Sequence, residues 1–172
     1  VQQSFEQRSG IALDELNEYL LDYPYTPYVD EVYTMQGVLY GETGEYANTI
    51  KALSKVKVKE LSRTTEPMYF FHMGYAYMQL GEYEKALVYL SPLKNNHANP
   101  YMLQASYYAG YCYYSLKEYG QALVEFLALE QVGGYLKMVP YYIVQIHYAL
   151  SQYDRVLERA EKLLKDYPNN EY

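Results

Sequence analysis

Residues Gly74–Leu93 of the chain read GYAYMQLGEYEKALVYLSPL. Small and aromatic residues recur in this stretch at helical spacing: Gly74 and Tyr77 precede a glycine at position 81, and Tyr83 and Ala86 open a second apolar segment. A glycine between two segments of helical periodicity is typical of a turn. The stretch therefore predicts a hairpin of two packed α-helices.

The same unit recurs along the chain, which is the signature of a repeat array. An offset of 36 residues places Gly74 on Gly110 and Ala86 on Ala122, and an offset of 37 places Gly37 on Gly74. Further matches pair Tyr83 with Tyr119, Leu93 with Leu129, Tyr40 with Tyr77, Gly44 with Gly81, Tyr46 with Tyr83, Leu116 with Leu150 and Tyr119 with Tyr153.

The two ends of the chain share one register. LNEYLLDYP at 16–24 matches AEKLLKDYP at 160–168 with an offset of 144, which is four units of 36. The first residues therefore read as the second helix of a repeat whose first helix is missing, in a trimmed array or as a capping helix. We expect one domain over residues 1–172, with a leading half-repeat at 1–28 and repeats at about 29–66, 67–102, 103–136 and 137–172.

Nine helices are predicted and no strands, because alternation with a period of two is not sustained anywhere. The helices are expected at 4–22, 29–41, 45–57, 67–80, 83–94, 100–116, 119–131, 138–150 and 153–167. Gly37, Gly74 and Gly110 lie inside them, where glycine costs about 0.5–1 kcal/mol relative to alanine. Its recurrence at one register predicts that two helices approach closely there, with Ala86 and Ala122 as small residues on the second helix.

These spacings resemble the tetratricopeptide repeat family, whose signature of about 34 residues has Leu-Gly, Tyr, Ala, Phe and Pro at fixed positions. The resemblance is carried by Phe70, Met73, Gly74, Tyr77, Gly81, Tyr83, Ala86 and Leu90, and then by Ala109, Gly110, Tyr113, Tyr119, Ala122 and Phe126. The fourth repeat departs from it with Val144 and Val156, and the first with Thr49. The resemblance implies an all-α, right-handed superhelical solenoid of antiparallel helix hairpins.

Composition and motifs argue against several functions. A net charge of −7 disfavours a nucleic-acid partner, and no apolar stretch is long enough for a membrane span. There is no phosphate-binding glycine loop, His-Glu-x-x-His or Gly-x-Ser-x-Gly motif, so we expect neither an enzyme nor a cofactor. His72, His97 and His147 lack a metal-ligand spacing, and the single Cys112 is expected to be a packing thiol.

The resemblance also implies a binding face. In this family, positions 2, 5, 9 and 12 of each repeat point to the inside of the superhelix. Here positions 5, 9 and 12 hold Phe71, Tyr75 and Met78, then Tyr107, Tyr111 and Tyr114, then Tyr141, Gln145 and Tyr148. Spacings of four and three residues put each trio on one helix face, and stacked repeats would form an aromatic ladder. The first full repeat instead has Thr34, Val38 and Gly41.

The ladder has three interpretations. It could be a groove that binds a peptide or helix of another protein, as in an interaction scaffold. The tyrosines could instead fill space between helices, or other parts of a longer chain could cover them. The main alternative function is a structural spacer or self-associating segment.

The compartment is suggested by a second resemblance. The Asp-Tyr-Pro endings at Pro24 and Pro168, together with YPYTPYVDEVY at 23–33, are similar to repeat modules of bacterial cell-envelope proteins. This points to the periplasm, with the cytoplasm as the alternative.

Overall fold

The computed structural model describes the backbone of residues 2–94, 99–132 and 138–166, and the side chains of 10–94, 99–132 and 138–165. Over these ranges the chain is all-α, and nine α-helices form packed hairpins, as predicted. The helices are α1 (Gln2–Asp22), α2 (Val29–Glu42), α3 (Tyr46–Leu53), α4 (Thr65–Gln79), α5 (Tyr83–Leu90), α6 (Met102–Ser115), α7 (Tyr119–Val132), α8 (Val139–Ala149) and α9 (Tyr153–Asp166).

Two helices, α3 and α5, end four residues earlier than predicted. Helix α3 ends at Leu53 rather than at 57, and a 3₁₀ turn follows at Val58–Glu60. Helix α5 ends at Leu90, and the rest of its predicted length is a 3₁₀ turn at Ser91–Leu93. The predicted last residue of α9, at position 167, lies outside the described residues.

Backbone contacts divide the chain into two compact units, Val1–Met102 and Leu103–Tyr172. The division falls at the predicted boundary between the second and third full repeats. Unit 1 and unit 2 are described separately below, and the single domain expected from the repeat pattern stays a prediction.

In unit 1, α2 packs on α3, α4 packs on α5, and α4 also contacts both helices of the preceding hairpin. The core contains Leu53, Tyr69 and Met73, all buried. Tyr77 stacks on Tyr89 at the edge of this core, with 5.5 Å between ring centroids. Tyrosine is therefore part of the packing between helices in unit 1.

In unit 2, α8 packs against both α7 and α9. Phe126, Ile143 and Ile146 are fully buried in its core. Tyr142 on α8 stacks on Phe126 with ring centroids 4.9 Å apart and planes 7° apart. This stack joins α7 to α8.

The glycines of the first helices lie against large residues of the second helices. A Cβ built on Gly74 would be 2.7 Å from Leu90 Cγ and 3.2 Å from the backbone oxygen of Ala86. The equivalent atom on Gly37 would be 2.5 Å from Leu53, and on Gly110 it would be 2.9 Å from Phe126. The predicted close approach is thus confirmed, and the residue that fills the space is Leu or Phe.

The hairpin turns share one hydrogen-bonding pattern. At the turn after α4, the Gly81 N–H donates to the Met78 carbonyl at 3.0 Å and the Glu82 N–H donates to the Tyr77 carbonyl at 2.9 Å. This is a Schellman motif, which needs a residue with positive φ just after the helix. The residues at this position are Gly44, Gly81, Lys117 and Ser151, with φ of 83°, 78°, 61° and 57°. The four turns therefore have the same backbone geometry, even where lysine or serine stands in place of glycine.

We predict that Gly74→Ala lowers the free energy of unfolding by about 1–3 kcal/mol, because the added methyl group displaces Leu90 in a packed hairpin. Gly10→Ala is the matched control, since nothing lies within 4 Å of its Cβ position in α1. That change should be neutral or raise stability by up to about 1 kcal/mol. Urea unfolding followed by circular dichroism measures both, and equal effects of the two changes would contradict the close contact.

Candidate binding surfaces

The predicted residues of unit 1 lie on α4. The Phe71 ring stacks on Tyr75 at 6.1 Å and on Tyr101 at 4.5 Å, with interplanar angles of 8° and 19°. Tyr75 also meets the edge of Tyr46 at 5.9 Å. These four half-buried rings are called the unit 1 aromatic surface. The third predicted residue, Met78, is only 7% exposed, so little of its side chain is accessible to a partner.

The unit 1 aromatic surface has polar groups at its edge. The Tyr75 hydroxyl accepts a hydrogen bond from Gln79 Nε2 at 2.7 Å. Tyr101 is placed by the buried Asn99, whose Oδ1 accepts the Tyr101 N–H at 2.9 Å and whose Nδ2 donates to the Leu93 carbonyl at 3.0 Å. Tyr101 itself lies just before α6.

In unit 2, the three predicted tyrosines of α6 surround one tyrosine of α8. The ring centroids of Tyr107, Tyr111 and Tyr114 lie 6.2, 6.1 and 5.3 Å from that of Tyr142. The Tyr114 hydroxyl donates a hydrogen bond to Gln145 Oε1 at 3.0 Å. The predicted faces of α6 and α8 therefore meet.

The remaining predicted residues of unit 2 are on α8 and differ in accessibility. Tyr141 is half-buried and Gln145 is exposed. Tyr148 is 65% exposed, and its ring meets the edge of Tyr153 at 6.0 Å. We call the six predicted residues of unit 2, together with Tyr142, the unit 2 aromatic surface.

Tyr142 and Tyr101 were missed by the sequence analysis. Tyr142 is at position 6 of its repeat, and burial, followed by the effect of the nearby Tyr107, raises the pKa of its phenol above the usual value. Position 6 holds a ring in three successive repeats, as His72, Tyr108 and Tyr142, and this pattern could have indicated its role. Tyr101 precedes its helix, so a search restricted to helix faces does not find it.

His72 lies beside the unit 1 aromatic surface. Its ring is 5.3 Å from Phe71 and 6.3 Å from Tyr101 by centroid, and its buried Nδ1 has no hydrogen-bond partner among the described residues. Burial lowers the pKa of His72 to about 4, so the ring is neutral near pH 7.

The other residues considered for metal binding or catalysis are buried in the packing between helices, where the structure describes them. Cys112 is fully buried, and burial raises the pKa of its thiol to about 12, which fits a packing role. His147 is 2% exposed, and its Nδ1 is 2.7 Å from Gln152 Oε1. His97 is outside the described residues.

Within the described residues, no group of three or more His, Cys, Asp or Glu side chains is arranged to hold a metal ion. Over the same part of the chain, no helix combines the length and apolar character needed to cross a membrane.

Comparisons with known proteins agree with this architecture. A family model described as a tetratricopeptide repeat matches residues 69–99. Among solved structures, the chain is similar to MamA, residues 41 to the end, from Desulfovibrio magneticus RS-1, with a TM-score of 0.76 and 16% identity over 99% of this chain and 95% of that one. No curated protein matches the sequence. The fold is thus that of a tetratricopeptide-like helical repeat protein.

We predict that His72 makes stability depend on pH. Its pKa is about 4 in the folded chain and about 6.5 in the unfolded chain, so between these values only the unfolded chain takes up the proton. The free energy of unfolding should therefore fall as the pH decreases from 6.5 to 4, by up to about 3 kcal/mol from this residue.

Urea unfolding of the wild type and His72→Gln at pH 7.0 and 4.5 tests this prediction. Carboxylate titration contributes to both proteins, so the comparison isolates His72. The wild type should lose about 2 kcal/mol more than the variant over this interval. Equal losses would show that His72 is protonated without cost in the folded chain.

Proposed function

We propose that the chain is a non-catalytic scaffold whose first-helix aromatic surfaces bind a peptide or helix of another protein. The observation that carries this proposal is the hydrogen bond between Tyr114 and Gln145. It makes the tyrosine face of α6 continuous with the part of α8 that carries the 65% exposed Tyr148. The tetratricopeptide match and the helical-repeat fold support the same class of function.

The chemistry of these surfaces suits protein recognition. A tyrosine has a broad apolar ring and a hydroxyl that can bond to a peptide backbone, and such residues often dominate binding energies. The rings of Tyr107, Tyr111 and Tyr114 are already held by contacts with Tyr142. Because these rings are ordered before binding, they would lose little additional side-chain entropy when a partner binds.

The residues would contribute unequally. Gln145 and Tyr148 are the most accessible of the nine predicted residues, and they would make the central contacts. Six of the predicted residues are half-buried. They would contribute ring edges and, where they are tyrosines, hydroxyl groups: Phe71, Tyr75, Tyr107, Tyr111, Tyr114 and Tyr141. Met78 is buried and would contribute to the packing of α4 rather than contact the partner.

The alternative is a structural or self-associating segment. It is favoured by exposed apolar side chains on the first and last helices. Ile11 and Leu21 of α1 are 60% and 80% exposed, and Leu157 and Leu164 of α9 are 64% and 72% exposed. Such residues are normal singly, but Leu157 and Leu164 are seven residues apart and share one face of α9, which suits an adjoining copy or repeat.

The compartment rests on the sequence resemblance alone. We propose the bacterial cell envelope from the Asp-Tyr-Pro ending at Pro24 and the adjoining tyrosine-rich segment. None of the comparisons names a compartment.

We predict that Tyr148→Ser combined with Gln145→Ala weakens the binding of peptides selected against the wild-type chain by display. The expected loss is about tenfold or more, since the change removes an accessible aromatic anchor. Val124→Ser is the control, because Val124 is 68% exposed on α7, the second helix of a hairpin. Fluorescence anisotropy gives the dissociation constants, and circular dichroism verifies the helical content.

Equal affinity of all three proteins would contradict binding at the unit 2 aromatic surface. Replacing Tyr107, Tyr111 and Tyr114 together is a poorer test, since this change also removes contacts with Tyr142, which stacks on the core residue Phe126. Light scattering tests the alternative. Dimers that form with increasing concentration and are lost in Leu157→Glu would favour self-association.

A further inference from the structure

A charged cleft of about 290 Å³ lies in unit 2, between α7, α8 and α9. It is separate from the aromatic surface, since most of its lining comes from the second helices. Its charged side chains are three cations and two carboxylates, Arg155, Arg159, Lys162, Glu130 and Glu158. The cleft is therefore locally positive in a chain with a net charge of −7.

One pair in the cleft is internally neutralised. Arg159 Nη1 donates to both oxygens of Glu130, at 2.9 Å to Oε1 and 3.1 Å to Oε2. Both side chains are only about a quarter exposed, at 26% and 28%. This ion pair connects α9 to α7 and forms one wall of the cleft.

Two cations beside this pair have no such partner. Arg155 is four residues before Arg159 and Lys162 is three residues after it, so all three share one face of α9. Among the described residues, neither Arg155 nor Lys162 is within ion-pair distance of a carboxylate. Glu158 lies on the same face and lines the cleft. The unpaired charges face a concave space.

We propose that this cleft binds carboxylate side chains from an acidic segment of a partner protein, through Arg155 and Lys162. The planar guanidinium group of arginine matches the two oxygens of a carboxylate, and lysine adds a second positive charge. The volume is just under the range of about 300–1,000 Å³ found for small-molecule pockets, so it suits one or two side chains. Arg159 already makes this guanidinium–carboxylate pairing with Glu130 in the same cleft.

The test uses a fluorescein-labelled hexaglutamate peptide, with anisotropy measured at low ionic strength, where such contacts are strongest. Arg155→Gln and Lys162→Gln should each weaken binding about fivefold. Lys165→Gln removes the same charge from an exposed position of α9 outside the cleft lining, and should change binding less than twofold. Glu158→Gln removes the competing carboxylate and should tighten binding about threefold.

Several results would overturn the proposal. If Lys165→Gln weakens binding as much as Arg155→Gln, only overall charge attracts the peptide. If Glu158→Gln does not tighten binding, the carboxylate does not compete in the cleft. If inorganic phosphate displaces the peptide better than free glutamate at equal ionic strength, the site does not prefer carboxylates. Tyr148→Ser should leave hexaglutamate binding unchanged, which separates this site from the aromatic surfaces.

Discussion

The contact between a first-helix glycine and a large second-helix residue is the constraint on which three hairpins depend, α2–α3, α4–α5 and α6–α7. At Gly74 the helices are so close that Leu90 Cγ lies only 2.7 Å from the position where a Cβ would be. Since a helix can meet its neighbour this closely at only one register, the contact fixes which residues face inward. The Schellman turn after α4 then sets where α5 begins. Gly37 and Gly110 repeat the arrangement with Leu53 and Phe126.

Once this register is fixed, tyrosines at different positions have different roles. Tyr77 stacks on Tyr89 and belongs to the hairpin interior. Tyr142 stacks on Phe126 and supports the rings of α6, among them Tyr114. Tyr148 remains mostly exposed and accessible to a partner. One residue type therefore serves as core, support and candidate contact, because a phenol tolerates both apolar and wet surroundings.

The sequence predicts helices and close contacts well where the cause is local and repeated, as at Gly74 and Gly81. It fails where the cause is distant. Helix α3 ends early, and the chain after it is held by the buried Asp30, whose Oδ1 accepts the Lys57 N–H at 2.7 Å. The sequence of α3 itself contains no signal for this hydrogen bond, because Asp30 is 27 residues away from Lys57. The candidate surfaces could likewise be predicted only in part, because helix spacing identifies a face but does not show that Met78 is buried or that Tyr142 lies among the rings.

The most direct test of the close contact is a double-mutant cycle between Gly74→Ala and Leu90→Ala, measured by urea unfolding. Leu90→Ala alone should destabilise the chain, because Leu90 is fully buried. In that background the added methyl group of Gly74→Ala has room, so its cost should fall by about 1 kcal/mol or more relative to the wild type. Additive costs, equal within about 0.5 kcal/mol, would show that Gly74 and Leu90 do not determine the hairpin together.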